Sequence, residues 1–327
     1  MKYSVITPTY NSFEQMSHYF ASVMKQKYSD FELIFVDDCS TDDTFEKLRS
    51  YCNAEMNNLR WSILKTPHNM GPGGARNIGM ENACGDWIVF IDSDDGFSDD
   101  FFDVLERVTM DSEVNFIIYD SKVLNTSGLQ LRIKRSMYGG TSSRKVETGE
   151  IISGCIGGIR KCFRRNLLIE SEVRFQEIKK AEDFIFYCEL VSKYKDIHAY
   201  YCSEPIYHIY QHEGSLSRGF DDSNVMKEVY AYLKKAVAPE YLEDLYISSI
   251  RVYLYGGALQ LAQFGASRKD ISSYVQEYST DNPNWYIDSK KIGLNRIKKI
   301  GMLLLHLRLF SLFKIYCRLQ KVLNTKI

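Results

Sequence analysis

Two features of the first 120 residues predict an α/β fold with a mostly parallel sheet flanked by helices. Short β-rich runs alternate with helix-patterned stretches, and the first strands end in polar turns, Thr9-Tyr10-Asn11 and Asp37-Asp38-Cys39-Ser40. In order, the pattern gives a strand over Tyr3 to Thr7, a helix near Phe13 to Lys25, a strand over Phe31 to Val36 and a helix near Asp43 to Cys52. It continues with a strand near Leu59 to Lys65, a helix from about Gly73 to Ala83, a strand at Trp87 to Ile91, and a further helix and strand ending near Tyr119. Strands joined through helices run parallel, and such sheets bind ligands beyond the carboxyl ends of their strands.

Residues 121–150 carry little periodicity and read as a loop around Gly139-Gly140-Thr141-Ser142-Ser143. A lid or acceptor loop and a plain excursion both fit it. From Gly157 the chain turns basic (Arg160, Lys161, Arg164, Arg165), then acidic at Glu182-Asp183 before an apolar helix over Phe184 to Lys193. After about Asp221 the pattern is helical. The expected division is a catalytic domain over 1–220 and a helical C-terminal region over 221–327.

The formal net charge of −1 conceals an asymmetry. No Asp or Glu follows Asp288, whereas ten of the 41 basic residues do; the other 31 face all 42 acidic ones, leaving residues 1–288 near −11. A basic tail with interleaved Leu303 to Leu305, Leu307, Leu309, Phe310, Leu312, Phe313, Ile315 and Tyr316 fits an interfacial helix on an anionic membrane surface, and equally a packing helix with a solvated basic face. Nucleic acid is not the expected partner. Eight cysteines without a CxxC pair suggest reduced thiols. With a strand starting at Tyr3, no secretion signal and no membrane-spanning run, the expected location is cytoplasmic, with peripheral attachment to the membrane's cytoplasmic face where the tail is interfacial.

The chemistry concentrates at the strand ends. Pro8 closes a strand, Tyr10 offers an aromatic face, and Asp38 offers a carboxylate to an imide N–H, the three needs of a uracil pocket. Asp, Ser and Thr at such positions also cap the next helix, so the pairing of the two turns carries more than either alone. In Asn69-Met70-Gly71-Pro72-Gly73-Gly74-Ala75-Arg76, glycines permit close backbone approach ahead of a helix N-terminus. This stretch has neither G-K-[ST] nor GxGxxG, and the missing dinucleotide fingerprint disfavours hydride transfer. Arg76 suits either bracing an acidic cluster or touching a phosphate. Asp92-Ser93-Asp94-Asp95 places three carboxylates at one strand end, a crowding that a divalent cation would relieve. Glu182-Asp183 at a helix start is, on chemistry alone, what the helix dipole favours.

Taken in order and spacing, Thr7-Pro8-Thr9-Tyr10-Asn11, Val36-Asp37-Asp38-Cys39-Ser40, Asn69 through Gly79 and Asp92-Ser93-Asp94-Asp95 resemble family 2 glycosyltransferases. The resemblance covers residues 3–218 and extends to Arg164-Arg165-Asn166-Leu167-Leu168, Arg174-Phe175, Ala181 through Phe186, and Ser215-Leu216-Ser217. It implies a GT-A fold, a Rossmann-like nucleotide-diphospho-sugar transferase architecture, with a C-terminal helical appendage. It also implies an inverting, Mn2+- or Mg2+-dependent transfer of a hexose or N-acetylhexosamine from a UDP-sugar. The acceptor would be a saccharide, a lipid-linked glycan or a polyol phosphate in cell-surface polysaccharide synthesis.

Carried over residue by residue, the resemblance implies that Pro8, Tyr10 and Asp38 hold the uridine, with Asp92 near the ribose and Asp94 on the metal. Asp95 is left to the metal or the donor sugar, and Asn69, Arg76 and Ser93 complete the nucleotide-sugar set. Asp183 becomes the general base. The chain departs from the family at Tyr207 through Ser215, where relatives carry an arginine before Ser-x-Ser; His212 stands there as a substitute contact, a diphosphate ligand or a metal ligand, beside the alternative of a structural histidine. A nucleotidyltransferase on a similar fold would need a basic Gly-rich loop after strand one, and Thr7 to Ser12 has none. A non-catalytic sugar-nucleotide-binding scaffold is the other alternative.

Overall fold

Strands β1 (Tyr3–Thr9) and β2 (Phe31–Asp37) are buried along their whole length, because helices cover both faces of the sheet they centre. The computed structural model describes residues 1–137, 140–154, 158–178, 181–211 and 223–325. Helices α1 (Ser17–Met24), α2 (Thr44–Glu55) and α3 (Gly71–Asn82) connect β1, β2, β3 (Arg60–Lys65) and β4 (Trp87–Phe90), which pair in parallel in the order β3-β2-β1-β4. The helix expected over Phe13 to Lys25 divides into a 3-10 turn at Phe13–Gln15 and α1.

Beyond β4 the sheet becomes mixed. After β5 (Gly96–Phe97) and α4 (Phe101–Thr109) come β6 (Phe116–Asn125), β7 (Gln130–Lys134), β8 (Arg144–Val146), α5 (Thr148–Ser153), β9 (Lys161–Arg164), α6 (Arg165–Glu170), α7 (Glu182–Lys193) and β10 (Ala199–Gln211). The order continues β4-β9-β6-β10-β5, with β7 on β6 and β8 on β10. Among the described residues, only β6 and β10 run parallel in this half.

The loop expected over 121–150 is therefore corrected. Its first residues extend β6, and a hairpin through β7 follows. Polar Gln130, Arg132 and Lys134 alternate along β7 with Leu131 and Ile133, but β7 has no core behind it, so hydrophobic contrast is weak.

Residues Met1–Ile151 and Ile156–His212 form one compact unit, and Ile152–Cys155 with Glu213–Ile327 form another. The core of the first gathers aromatic side chains from successive elements: Tyr3, Tyr19, Phe31, Phe35, Trp87, Phe97, Phe101, Phe102 and Tyr119. Phe31 stacks on Phe102 at 4.6 Å, and Phe97, Phe101 and Tyr119 meet edge-on or tilted at 5.0–5.6 Å, adding about 0.5–1.5 kcal/mol per pair to their burial. In α3, Gly79 lies against Ile6 of β1, and a Cβ at Gly73 would stand 2.9 Å from the Gln176 carbonyl. The glycines of this stretch thus set the helix close to the sheet and to the segment before α7.

The second unit contains α8 (Ser223–Ala236), α9 (Leu242–Ser249), a π-helical stretch Ile250–Gly256 running into α10 (Gly257–Gln263), α11 (Arg268–Asp281), α12 (Trp285–Asp288), α13 (Arg296–His306) and α14 (Phe310–Thr325). Ser267 and Asp270 close a reciprocal capping box on α11, and Asn295 caps α13 through the Lys298 N–H at 2.9 Å. Among the described residues, no helix is long and apolar enough to cross a membrane.

Candidate active site

The carboxyl ends of β1 and β2 are stitched together by side chains of their own turns. Left-handed backbone at Asn11 (φ 47°) and Cys39 (φ 58°) reverses each chain just past its strand. The Asn11 carboxamide oxygen accepts from the Thr41 N–H at 2.8 Å, and the Asn11 N–H donates to Ser40 Oγ at 3.0 Å. Pro8 is buried within β1, and Tyr10 projects 47 % exposed at the end of it.

Asp38 is buried, and its Oδ1 accepts from the Thr66 hydroxyl at 2.9 Å and the Met70 N–H at 2.8 Å. Asn69, exposed, donates its side-chain amide to the Asp38 carbonyl at 3.3 Å. The two turns and the Gly-rich segment are thereby one bonded assembly. Thr66, which the sequence reading passed over, completes it.

The acidic turn follows β4. Asp92, Ser93 and Asp94 are half-buried and Asp95 is buried; one carboxylate oxygen from each of the three aspartates lies within 4.8 Å of the others. Asp95 is fixed from the distant strand β10: the Tyr207 hydroxyl donates to its Oδ2 at 2.8 Å, and the Tyr210 N–H to its Oδ1 at 3.1 Å. Tyr207 also accepts from the Asp92 N–H at 3.2 Å. An irregularity between Cys202 and Tyr207, around Pro205, re-registers β10 and aims this tyrosine at the turn. Burial, then the charges of Asp94 and Asp92, raise the Asp95 carboxyl well above its ordinary range. Burial also raises Asp92, and Asp94 and Asp183 push the same way, while Arg76 opposes them.

Arg76, only 3 % exposed, is placed to brace the acidic cluster. One guanidinium nitrogen donates to Asp92 at 2.9 Å and another to Glu182 at 3.0 Å, while the group lies over the Phe175 ring. Burial lowers the Arg76 pKa and the two carboxylates more than restore it, so the cation is retained. Asn77 clamps the Phe175 backbone through paired bonds of 2.8 and 2.9 Å, and Phe175 stacks on Phe186 at 3.9 Å, which ties α3 to α7.

The bridge predicts a stability effect. Arg76→Met leaves two carboxylates without their cation, and with Asp92 partly hydrated the expected loss is about 2–3 kcal/mol. Urea denaturation checks this: a midpoint within error of wild type would show that the bridge is dispensable.

Asp183 is the second residue of α7, which Glu182 begins directly after Ala181, whose backbone is left-handed (φ 62°). Its Oδ2 accepts from the Gly158 N–H, and its Oδ1 from the Phe184 N–H at 2.7 Å. The structure therefore brings Asp92, Asp94, Asp95, Arg76, Glu182 and Asp183 into one electrostatically linked group at the end of β4, and Pro8, Tyr10, Asp38 and Asn69 into a second at the ends of β1 and β2. His212 and Ser215 to Ser217 lie outside the described residues. Glu182 was legible as an acidic helix start, but its tie to Arg76 was not, and neither were Tyr207 and Tyr210. The alternating aromatic run Tyr207-His208-Ile209-Tyr210 was the available signal for β10.

Residues 4–168 match the glycosyl transferase family 2 model. The chain belongs to this family. It is 32 % identical over 189 residues to the poly(ribitol-phosphate) beta-N-acetylglucosaminyltransferase TarS of Staphylococcus aureus strain MW2, a match covering 57 % of this chain and 32 % of TarS. The chain thus matches about a third of that relative's length.

Among solved structures, S. aureus TarS 1-349 in complex with UDP-GlcNAc superposes with a TM-score of 0.70 at 20 % identity, covering 98 % of this chain and 92 % of that one. The mannosyltransferase PcManGT from Pyrobaculum calidifontis, in complex with GDP-Man and Mn2+, gives 0.59 at 16 % identity, covering 99 % and 87 %. The fold is GT-A, a mixed α/β sheet flanked by helices and followed by C-terminal helices.

Proposed function

We propose that this family 2 member is an inverting glycosyltransferase that moves a hexose or N-acetylhexosamine from a UDP-sugar to a hydroxyl of a saccharide, lipid-linked glycan or polyol-phosphate acceptor in cell-surface polysaccharide synthesis. The observation that carries the reading is the linked group at the end of β4, where the Asp92–Asp95 turn, the Arg76 bridge and Asp183 converge. The TarS likeness supports a UDP-linked donor and the polyol-phosphate alternative.

Pro8, Tyr10 and Asp38 hold the uridine, Tyr10 by its exposed ring; Asn69, Arg76, Asp92, Ser93 and Asp95 serve the donor, Arg76 by holding Asp92 in place. Asp183 takes the proton from the acceptor hydroxyl as that oxygen forms its bond to the anomeric carbon. The bond from that carbon to the diphosphate breaks on the opposite face, which inverts the centre. Backbone N–H groups on both Asp183 oxygens fix the direction of the base.

The acidic turn fits a divalent ion. One carboxylate oxygen from each of the three aspartates lies within 4.8 Å of the others, a hard-oxygen donor set that suits Mg2+ or Mn2+, and the upward pressure on Asp92 and Asp95 marks a site short of positive charge. Asp94 would hold Mn2+ or Mg2+ beside Asp92 or Asp95, and the bound ion would offset charge on the departing diphosphate.

The test is calorimetric titration with UDP-, GDP- and TDP-sugars, each with manganese and again with chelator. Selective, manganese-dependent binding of one UDP-sugar is the expected result, and no binding across the panel would favour a scaffold that lacks a working site.

The C-terminal helices support a peripheral membrane location on the cytoplasmic face. Met302 and Leu305 of α13 and Phe313 and Cys317 of α14 are buried, whereas Ile300, Leu303, Leu307, Leu312, Ile315 and Leu319 are each at least 40 % exposed among basic residues. A packed face and an outward apolar face coexist, which an anionic lipid surface would match. Leu312→Asp with Ile315→Asp is expected to weaken binding to anionic liposomes roughly tenfold or more without lowering Tm, since both side chains are exposed. Equal sedimentation with liposomes would remove the membrane role.

A further inference from the structure

Asp183 takes its direction in part from a residue with little stiffness of its own. Gly158, whose N–H donates to Asp183 Oδ2, has a backbone φ of 104°, a value that side chains disfavour, and a glycine peptide swings easily. Its carbonyl is held twice. The Lys161 ammonium donates to it at 2.5 Å and the Tyr187 hydroxyl at 3.1 Å, which uses both lone pairs of that oxygen. The ammonium also lies 3.8 Å from the centre of the Tyr187 ring, and both side chains are buried, Lys161 fully.

Chain position makes this a clamp between two elements. Tyr187 stands four residues after Asp183, one turn along α7, so Gly158 is tied to the same helix through both of its polar groups. Lys161 opens β9, whose next residue, Cys162, registers with Val89 of β4, three residues before Asp92. The Phe184 N–H on Oδ1 belongs to α7 and moves with it, whereas Gly158 and Lys161 refer the carboxylate to the strand that ends in the acidic turn.

We propose that Lys161 and Tyr187 are positioning residues for Asp183, which fix the Gly158 peptide and through it the direction of the carboxylate relative to the acidic turn. This rests on the glycosyl-transfer reading, in which that carboxylate takes the acceptor's proton. Displacement at the anomeric carbon tolerates little angular error between base and hydroxyl, so a base that turns loses rate without losing affinity for the donor.

Tyr187→Phe tests the proposal, because it removes the hydroxyl and keeps the ring beneath the ammonium. The first readout needs no substrate: amide hydrogen exchange in protein labelled with nitrogen-15 glycine. The Gly158 N–H is expected to exchange about tenfold or more faster in the variant, with Tm and the other glycine amides as in wild type. Unchanged exchange at Gly158 overturns the clamp, and faster exchange throughout with a lowered Tm reduces Tyr187 to a packing residue. The second readout is turnover of UDP-GlcNAc with a synthetic ribitol-phosphate trimer. The kcat is expected to fall about tenfold with both KM values within about twofold. The same substitution in an Asp183→Asn background should cost no further rate, since no base remains to be aimed. Unchanged kcat, or an equal fall in both backgrounds, overturns the positioning role. A wild type that fails to turn over this pair counts against the glycosyl-transfer reading, while the exchange result still decides the clamp.

Discussion

Asp183→Asn is expected to lower kcat by about 10²–10⁴-fold while leaving UDP-sugar affinity within twofold. Asparagine has nearly the same shape, but its amide cannot take a proton from the acceptor hydroxyl. It also offers one acceptor oxygen where Asp183 now satisfies both the Gly158 and Phe184 N–H groups, so a loss of roughly 1 kcal/mol in stability should accompany the variant. Steady-state kinetics with a saturating acceptor, alongside calorimetry with the donor, separates the two effects. Retained kcat would assign the base to another group, and lost donor binding would make Asp183 part of the donor site.

Asp94→Ala is expected to remove the manganese-dependent part of UDP-sugar affinity and to lower kcat by about 10²–10³-fold, the several kcal/mol that charge stabilisation by an ion supplies. Its effect on stability should have the opposite sign. Asp92 and Asp95 have folded-state pKa values raised above the unfolded ones, in part by Asp94. Such carboxyls keep their protons in the fold at pH values where the unfolded chain has released them. Their contribution to stability therefore falls as pH rises from the ordinary carboxylate range through the raised values. Removing the Asp94 charge eases that penalty, so without metal Asp94→Ala should lose less Tm than wild type between pH 4 and 8. Added manganese should raise the wild-type Tm near pH 8 and have little effect on the variant. Equal pH profiles and equal manganese responses would place the ion elsewhere.

What the sequence disclosed about this site was contiguous. The turns at Tyr10-Asn11 and Asp37 to Ser40, the Gly-rich stretch and Asp92-Ser93-Asp94-Asp95 each hold their chemistry within a few residues, and parallel-sheet topology then places the strand ends on one edge. The glycines had a reason that composition leaves open: Gly73 and Gly79 admit a backbone and a side chain where a Cβ would collide.

The supports came from far along the chain. Tyr207 holds Asp95 across 112 positions, and Arg76 reaches Glu182 across 106, distances over which no local period carries information. Strand β7 was hidden for a second reason. It is an edge strand whose polar faces weaken the alternation that marks β structure, so the stretch read as a loop. Tyr207 and Tyr210 come from the half of the sheet where pairing turns mixed, and local sequence specified that half least.

The central claim is a single inverting displacement at the anomeric carbon, and the configuration of the product tests it most directly. Proton NMR of the glycoside formed from an α-linked UDP-sugar should show the anomeric coupling of a β linkage. An α-linked product would contradict direct displacement assisted by Asp183.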